Sequence, residues 1–367
     1  MKFNVPRATL LAPLQQVIGV VEKRQTLPIL SNVLLKLDEG WIELTGTDME
    51  IQLVARTQTE TGVTGSVTAP ARKLLDILRL LPELSSIQVE CREDRFSIRC
   101  GSGRYSLATL PVEHYPAFDS GAYELEASIP AETLRRALNK TLFAMAQQDV
   151  RYYLNGVLLD LEGATLRTVA SDGHRLSLYE EDMGTPFPGN RQAIIPRKGV
   201  LELARLLTEA DDTLTLRLAT NTIAVDLGGI SFSAKLIEGR YPDFRRVLPT
   251  ELNRAYTVNR DELKGGLTRV SVLSGEKIKT VSLEVEDDAT LVLKSHNPEQ
   301  EDAEERLTVD MEGGGVAAGF NAGYLLDAIN NVDSGQVRLS FTESANCCLV
   351  EDADDKRFKS IVMPMRL

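Results

Sequence analysis

One pattern is stated three times along this chain, and it limits the fold more than any single motif. Val157-Leu158-Leu159-Asp160-Leu161, shifted back by 124 residues, falls on Val33-Leu34-Leu35-Lys36-Leu37. The same shift lays Ser171-Asp172 on Thr47-Asp48. Going forward, Val281-Ser282-Leu283-Glu284-Val285 leads through Leu291-Val292-Leu293 to His296-Asn297. Each copy has a helical pattern before it, built on Leu10 and Leu14, on Leu134 and Leu138, and on Leu263 and Leu267. Another follows at Lys73–Leu78, Lys198–Leu203 and Tyr324–Ile329. Late in the first two copies, Tyr115-Pro116-Ala117-Phe118 matches Tyr241-Pro242-Asp243-Phe244. A unit of about 120 residues is a domain rather than a solenoid repeat. The expected domains are 1–120, 125–248 and 254–367.

Each copy reads as two helices laid on many short strands, an α+β layer structure. Helical segments are expected at 7–24 (its core Thr9 to Val21), 71–81, 130–147, 196–207, 260–269 and 321–331. Val63 to Thr68 alternates as one strand. Gly184–Asn190 is a loop by composition, and the acidic run Pro298–Glu305 reads as a solvated face. The tail Ser360–Leu367 is apolar almost to its last residue, which implies either a tucked-in edge strand or a binding surface.

The 367 residues, 43% hydrophobic and 26% charged, have the composition of a soluble globular protein. No stretch approaches membrane-spanning length and no signal core opens the chain. Cys91, Cys100, Cys347 and Cys348 have no metal spacing, which fits the reducing cytoplasm. The three histidines are well apart. A net charge of −12 argues at first against a nucleic-acid partner. Yet the six helical segments together carry +8, leaving −20 on everything else. Charge is segregated by element, although any one basic helix face could simply be solvated.

Bond-making chemistry finds little support. Asp172-Gly173-His174 puts an acid beside an imidazole, but Asp-Gly also makes a turn, and no serine or cysteine nucleophile motif lies near. No phosphate loop, His-Glu-x-x-His helix or zinc spacing occurs, and no cofactor is expected.

Gln148–Gly156, Ser171–Leu176, Tyr241–Pro249 and Val362–Leu367 together resemble the bacterial sliding clamp family, the beta subunit of DNA polymerase III. The likeness runs from Met1 to Leu367 with all three copies in order. It implies a head-to-tail homodimer ring of clamp domains around duplex DNA, non-catalytic, which tethers the replicative polymerase for processive synthesis. The partners it implies are the polymerase III alpha subunit, other polymerases, a clamp loader, and mismatch-repair and ligase-type proteins, docking through short peptides.

Carried residue by residue, the resemblance puts DNA-facing positions at Arg24, Arg72, Arg136, Gln148, Tyr152, Tyr153, Arg197 and Lys198. The peptide groove falls on Leu154, Ser171, Gly173, His174, Arg175, Leu176, Pro242, Arg246 and Val247. It continues on Ile361, Val362, Met363, Pro364, Met365 and Arg366. In this reading Leu154, Leu176, Pro242 and Val247 form a wall facing the apolar tail, and His174, Arg175, Arg246 and Arg366 a polar rim. Dimer contacts would involve Lys73, Tyr105 and Leu107 against Val272, Leu273, Gln300 and Glu304 of the other copy. Size supports a ring of six. Domains of roughly 35 Å diameter leave essentially no hole in a circle of three, and one of about 32 Å in a circle of six. Duplex DNA is roughly 20 Å across. Two other readings stay open here, an enzyme using Asp172 and His174 on nucleic acid and a peptide scaffold with no DNA role.

Overall fold

The computed structural model describes residues 1–21, 27–59, 62–208, 210, 212–275, 279–286 and 288–365. The first copy runs β1 (Lys2–Pro6), α1 (Arg7–Val17), β2 (Asn32–Asp38), β3 (Trp41–Thr47) and β4 (Ile51–Gln58). It continues with β5 (Gly62–Val63), β6 (Gly65–Pro70), α2 (Ala71–Leu80), β7 (Ser86–Arg92), β8 (Arg95–Cys100) and β9 (Gly103–Ala108). The second begins β10 (Tyr123–Pro130), α3 (Ala131–Asn139), β11 (Gly156–Glu162), β12 (Thr165–Ser171) and β13 (Arg175–Asp182). Then come β14 (Arg191–Pro196), α4 (Arg197–Leu207), β15 (Thr213–Ala219), β16 (Thr222–Asp226) and β17 (Ile230–Lys235). The third opens β18 (Arg254–Asn259), α5 (Arg260–Val270), β19 (Thr280–Glu286), β20 (Thr290–His296) and β21 (Asp302–Thr308). It closes with β22 (Asp310–Glu312), β23 (Val316–Asn321), α6 (Ala322–Ile329), β24 (Gln336–Phe341), β25 (Cys348–Asp352) and β26 (Phe358–Val362). Apart from the short β5 and β22, all three copies have one order of elements.

The sheets cut across the copies. One has eight strands, β10-β15-β16-β17-β4-β3-β2-β6, and another nine, β14-β11-β12-β13-β26-β25-β24-β18-β22. Smaller sheets run β5-β1-β7-β8-β9 and β21-β20-β19-β23. Each copy therefore gives one half-sheet to each of two sheets. The joins follow one rule, in which the third strand after the first helix pairs with the last strand of the next copy. Thus β4 pairs antiparallel with β17 (Ile51 opposite Ala234), and β13 with β26 (Arg175 opposite Val362). Two compact units result, Met1–Arg135 with Lys198–Leu236, and Arg136–Arg197 with Ile237–Leu367.

Alternation of apolar residues buries one face of each strand and leaves the other polar. In β10 the pattern puts Leu125, Ala127 and Ile129 inside. Helices α2 and α4 bury their leucine stripes, Leu74, Leu75 and Leu78, and Val200, Leu203 and Leu207.

Several boundaries differ from expectation. Helix α1 starts at Arg7, straight after Pro6, and gives way to a 3-10 turn at Ile18–Val20. Helix α3 stops at Asn139, with short 3-10 turns at Leu142–Ala144 and Tyr152–Leu154, so most of 140–147 is not helical. Val63 to Thr68 is two strands in different sheets, because β5 pairs with β1 while β6 pairs with β2. The acidic run enters β21, where exposed and half-buried residues alternate. The tail strand β26 is not an edge. It lies between β13 and β25, with Ser360, Ile361 and Val362 fully buried.

Candidate functional site

The second unit carries a corner built on Ser171–Arg175. Ser171 Oγ donates to the Arg175 carbonyl (2.7 Å) and accepts from the Gly173 N–H (3.1 Å). Asp172 Oδ1 accepts from the N–H groups of His174 (2.9 Å) and Arg175 (3.1 Å). Serine and aspartate close the turn through local side-chain bonds, and Gly173 supplies the left-handed φ of 88° it requires. Asp172 thus caps a turn, and its other oxygen takes Arg175 Nε at 2.9 Å. Its hydrogen bonds go to the backbone and to Arg175, not to the His174 ring, which removes the basis for an acid–imidazole pair.

Arg175 differs from expectation. Instead of a polar rim it is a half-buried tie, its side chain 11% exposed. Besides Asp172, it donates to Asp327 on α6 (2.6 Å) and to the Phe143 carbonyl (2.7 Å). Its guanidinium lies 4.3 Å from the Tyr324 ring centroid. Charge pairing and stacking use every nitrogen and the flat face, which suits arginine and not lysine.

Beneath the corner, Leu154, Leu158, Leu176, Ile361, Leu349, Tyr241, Phe244 and Cys347 form one apolar cluster, with Tyr153 and Met363 packed on it. Leu154 and Leu176 are therefore floor rather than open wall. Ile361 and Val362 are likewise strand interior, withdrawn from the groove surface by β26's central place. What remains accessible is Met363, Pro364 and Met365, half-buried, beside exposed His174, Pro242, Arg246 and Val247. The Met363 N–H donates to the His174 carbonyl (2.9 Å), and the Met365 N–H to the Gly319 carbonyl (2.8 Å). A shallow cavity of about 660 Å³ continues past Arg246, Leu248, Thr342 and Asn346. Arg366 lies outside the described residues.

A second feature of this unit is the loop before β11. Asn155 clamps it at both ends of its amide, accepting from the Asp149 N–H and donating to the Asp149 carbonyl, each at 2.9 Å. Hydrogen bonds from Arg151 hold the Asp149 carboxyl down at about 2. A Cβ at Gly156 would meet the Ile195 carbonyl oxygen at 2.2 Å, so glycine lets β11 begin directly against β14. The clamp holds out Gln148 (φ 55°), Val150 (95% exposed) and Tyr152 (57% exposed), while Tyr153 stands edge-on to Tyr152 at 5.8 Å.

The basic residues fare differently. Arg72 is exposed and caps the Val21 carbonyl (2.7 Å). Arg197 is half-buried near the Met145 carbonyl, and Lys198 pairs with Asp48. Arg136 is paired most fully. It is bound to Asp333 (2.7 Å) and Asp355 (3.2 Å) beside buried Lys140, which also binds Asp333, so its charge is already answered within the protein. Arg24 lies outside the described residues.

Among the described residues, β9 in the first unit and β21 in the second are end strands of their sheets, each paired along one edge only. Tyr105 and Leu107 lie on β9, with Lys73 exposed on α2. Glu304 lies on β21, Gln300 precedes it, and Val272 (75% exposed) and half-buried Leu273 follow α5. Among the described residues, no group of three or more His, Cys, Asp or Glu could hold a metal ion, and no helix is long and apolar enough to cross a membrane.

The N-terminal, central and C-terminal domain patterns of the DNA polymerase III beta subunit match residues 1–119, 128–243 and 245–366. The chain belongs to the DNA polymerase III beta-subunit family. It is 44% identical to the beta sliding clamps of Pseudomonas aeruginosa and of Escherichia coli K12, over 368 aligned residues covering all of both chains. A crystal structure of the Pseudomonas aeruginosa beta subunit superposes with a TM-score of 0.96 at 43% identity, again over both whole chains.

Membership sets the function at the family's level. This is a sliding clamp, a non-catalytic processivity factor that works on DNA with its polymerase, in the homodimeric ring form of the clamp family. Sequence reasoning missed some residues that shape the clamp's corner, namely Tyr324 and Asp327, which anchor Arg175, and Asn346 and Cys347. The last two had a signal, because they repeat the position of Asn221-Thr222 in the copy before.

Proposed function

We propose that the accessible tail Met363–Met365, with His174, Pro242, Arg246 and Val247, takes the short peptides of polymerases, the clamp loader, and mismatch-repair and ligase-type proteins. Methionine and proline give adaptable apolar surface for many ligands, over a floor fixed by Leu154, Leu176 and Ile361. Truncation after Val362 tests this, because it leaves β26 whole. The expected outcome is a folded dimer whose affinity for a peptide with a Gln and a Leu/Phe anchor, read by fluorescence anisotropy, falls about 100-fold, as for loss of a hot spot. Unchanged affinity in that folded dimer overturns the groove.

The ring is proposed to close where β9 of one copy adds to β21 of its partner. The observation that carries this is the joining rule. Two of the three junctions it calls for, β4 with β17 and β13 with β26, form within the chain, and the third pair is left with open edges. Open edges invite strand addition. Charge also fits, since Arg95, Arg99 and Arg104 lie on β8 and β9 and Asp302, Glu304 and Glu305 on β21. Tyr105, Leu107, Val272 and Leu273 would supply the apolar core of that contact, with Lys73, Gln300 and Glu304 around it, on three domains per copy at 1–120, 125–248 and 254–367.

DNA contact is assigned to Gln148, Tyr152 and Tyr153, with Arg24, Arg72, Arg197 and Lys198 as basic support, in the cytoplasm. Such contacts are sequence-independent and weaken with salt. A strong preference for one DNA sequence would overturn this assignment.

A further inference from the structure

The corner in the second unit has a twin in the first. Thr47 Oγ1 donates to the Ile51 carbonyl (2.8 Å) and accepts from the Met49 N–H (3.0 Å). Asp48 Oδ1 accepts from the N–H groups of Glu50 (2.9 Å) and Ile51 (2.7 Å). These are the bonds of Ser171–Arg175, one for one. The match extends to the incoming strand, because the Lys235 N–H donates to the Glu50 carbonyl (2.9 Å) as the Met363 N–H does to that of His174. A cavity of about 390 Å³ opens here, lined by Thr47, Met49, Pro116, Phe118, Asn221 and Lys235. Their counterparts are Ser171, Gly173, Pro242, Phe244, Asn346 and Met363.

We propose that this cavity is a second peptide site, for an extended partner segment with an apolar side chain next to an aspartate or glutamate. The proposal rests on reading its counterpart as a peptide groove. Size fits a few side chains. Met49, 43% exposed, offers the flexible apolar contact that Met363 offers in the other unit. The acidic preference comes from Lys235, which stands where the other groove has methionine. Its ammonium has Glu50 at 3.3 Å, with both side chains largely in solvent (46% and 67% exposed), so a ligand carboxylate can take Glu50's place. Asp119, the acid on the cavity wall, already accepts the Gly121 N–H at 2.9 Å.

Methionine methyl signals separate the two sites, Met49 reporting on this one and Met363 and Met365 on the other. The full-length dimer, 13C-labelled at methionine methyls, is titrated with acetyl-Leu-Phe-Asp-amide. A saturating shift of Met49, retained in the chain truncated after Val362 and roughly three- to fivefold weaker in Lys235→Ala, is the expected result. Replacing Asp by Asn in the peptide should weaken the Met49 response equally. Movement of Met363 and Met365 with Met49 still overturns the second site and leaves the first groove standing. Silence at all three overturns the second site, and the Gln-bearing peptide tests the first groove separately. A Met49 shift that ignores Lys235→Ala and the Asn peptide overturns the acidic-segment assignment.

Discussion

The turns at Thr47–Ile51 and Ser171–Arg175 share four hydrogen bonds and differ in what their last residue does. Ile51 is fully buried and only packs. Arg175, opposite the same point of the incoming strand, spends its charge on Asp172 and on Asp327 of the next copy. The backbone recurs because a hydroxyl and a carboxylate two bonds from the chain can close such a turn anywhere. The fifth side chain is free to vary, and it decides whether the corner's aspartate is paired from within the turn, as Asp172 is by Arg175, or from another element, as Asp48 is by Lys198. A repeated fold can thus hold distinct sites without changing its scaffold.

Exchanging the fifth residues breaks the comparison most sharply. Ile51→Arg should cost at least about 4 kcal/mol, because a charge enters a core site. Arg175→Ile should cost about 2–3 kcal/mol, since it strands Asp172 and leaves Asp327 to water. Urea unfolding of both variants measures the pair, and equal costs would mean that the two corners are interchangeable.

A smaller effect separates the units by acid. Hydrogen bonds from Arg357, with the Arg136 charge nearby, hold the Asp355 carboxyl at about 2, below the ordinary 3.8. A depressed carboxyl stabilises the fold fully above its unfolded pKa, and that support is lost as pH falls through the folded value. Between about pH 4 and pH 2 the second unit should lose up to about 2 kcal/mol from this group. Asp355→Asn should flatten that part of the stability profile, followed by thermal midpoints against pH. The smallest effect is at the third residue of each turn. Gly173→Met should cost about 1–2 kcal/mol at a φ of 88°. Met49→Gly, at a φ of 76°, should change stability by less than about 1 kcal/mol.

The threefold order of elements was legible because each copy repeats its apolar alternation and its turn residues. Helix ends were not, since nothing local in 140–147 announces that α3 stops at Asn139. Arg175 was misread for a related reason. Its partner Asp327 lies 152 residues away, and sequence cannot show that a polar residue beside a groove is paired beneath it. The partners of Arg136 were hidden in the same way, with Asp333 and Asp355 far along the chain. Strand position was hidden as well. An apolar tail announces burial, but only pairing reveals that β26 fills a gap between β13 and β25.

That gap sets an order of events at the ribosome. The eight-stranded sheet has all its strands once residue 235 has emerged, before β26 is made. The nine-stranded sheet must wait for β26, the last strand described. Until then β13 and β25 each hold an open edge, and the half-sheets on either side have no strand between them. Unpaired edges in nascent chains are sites of misassembly. Translation halted near residue 350 should therefore yield a product with its first unit built and its second unjoined, ready for chaperones or proteases.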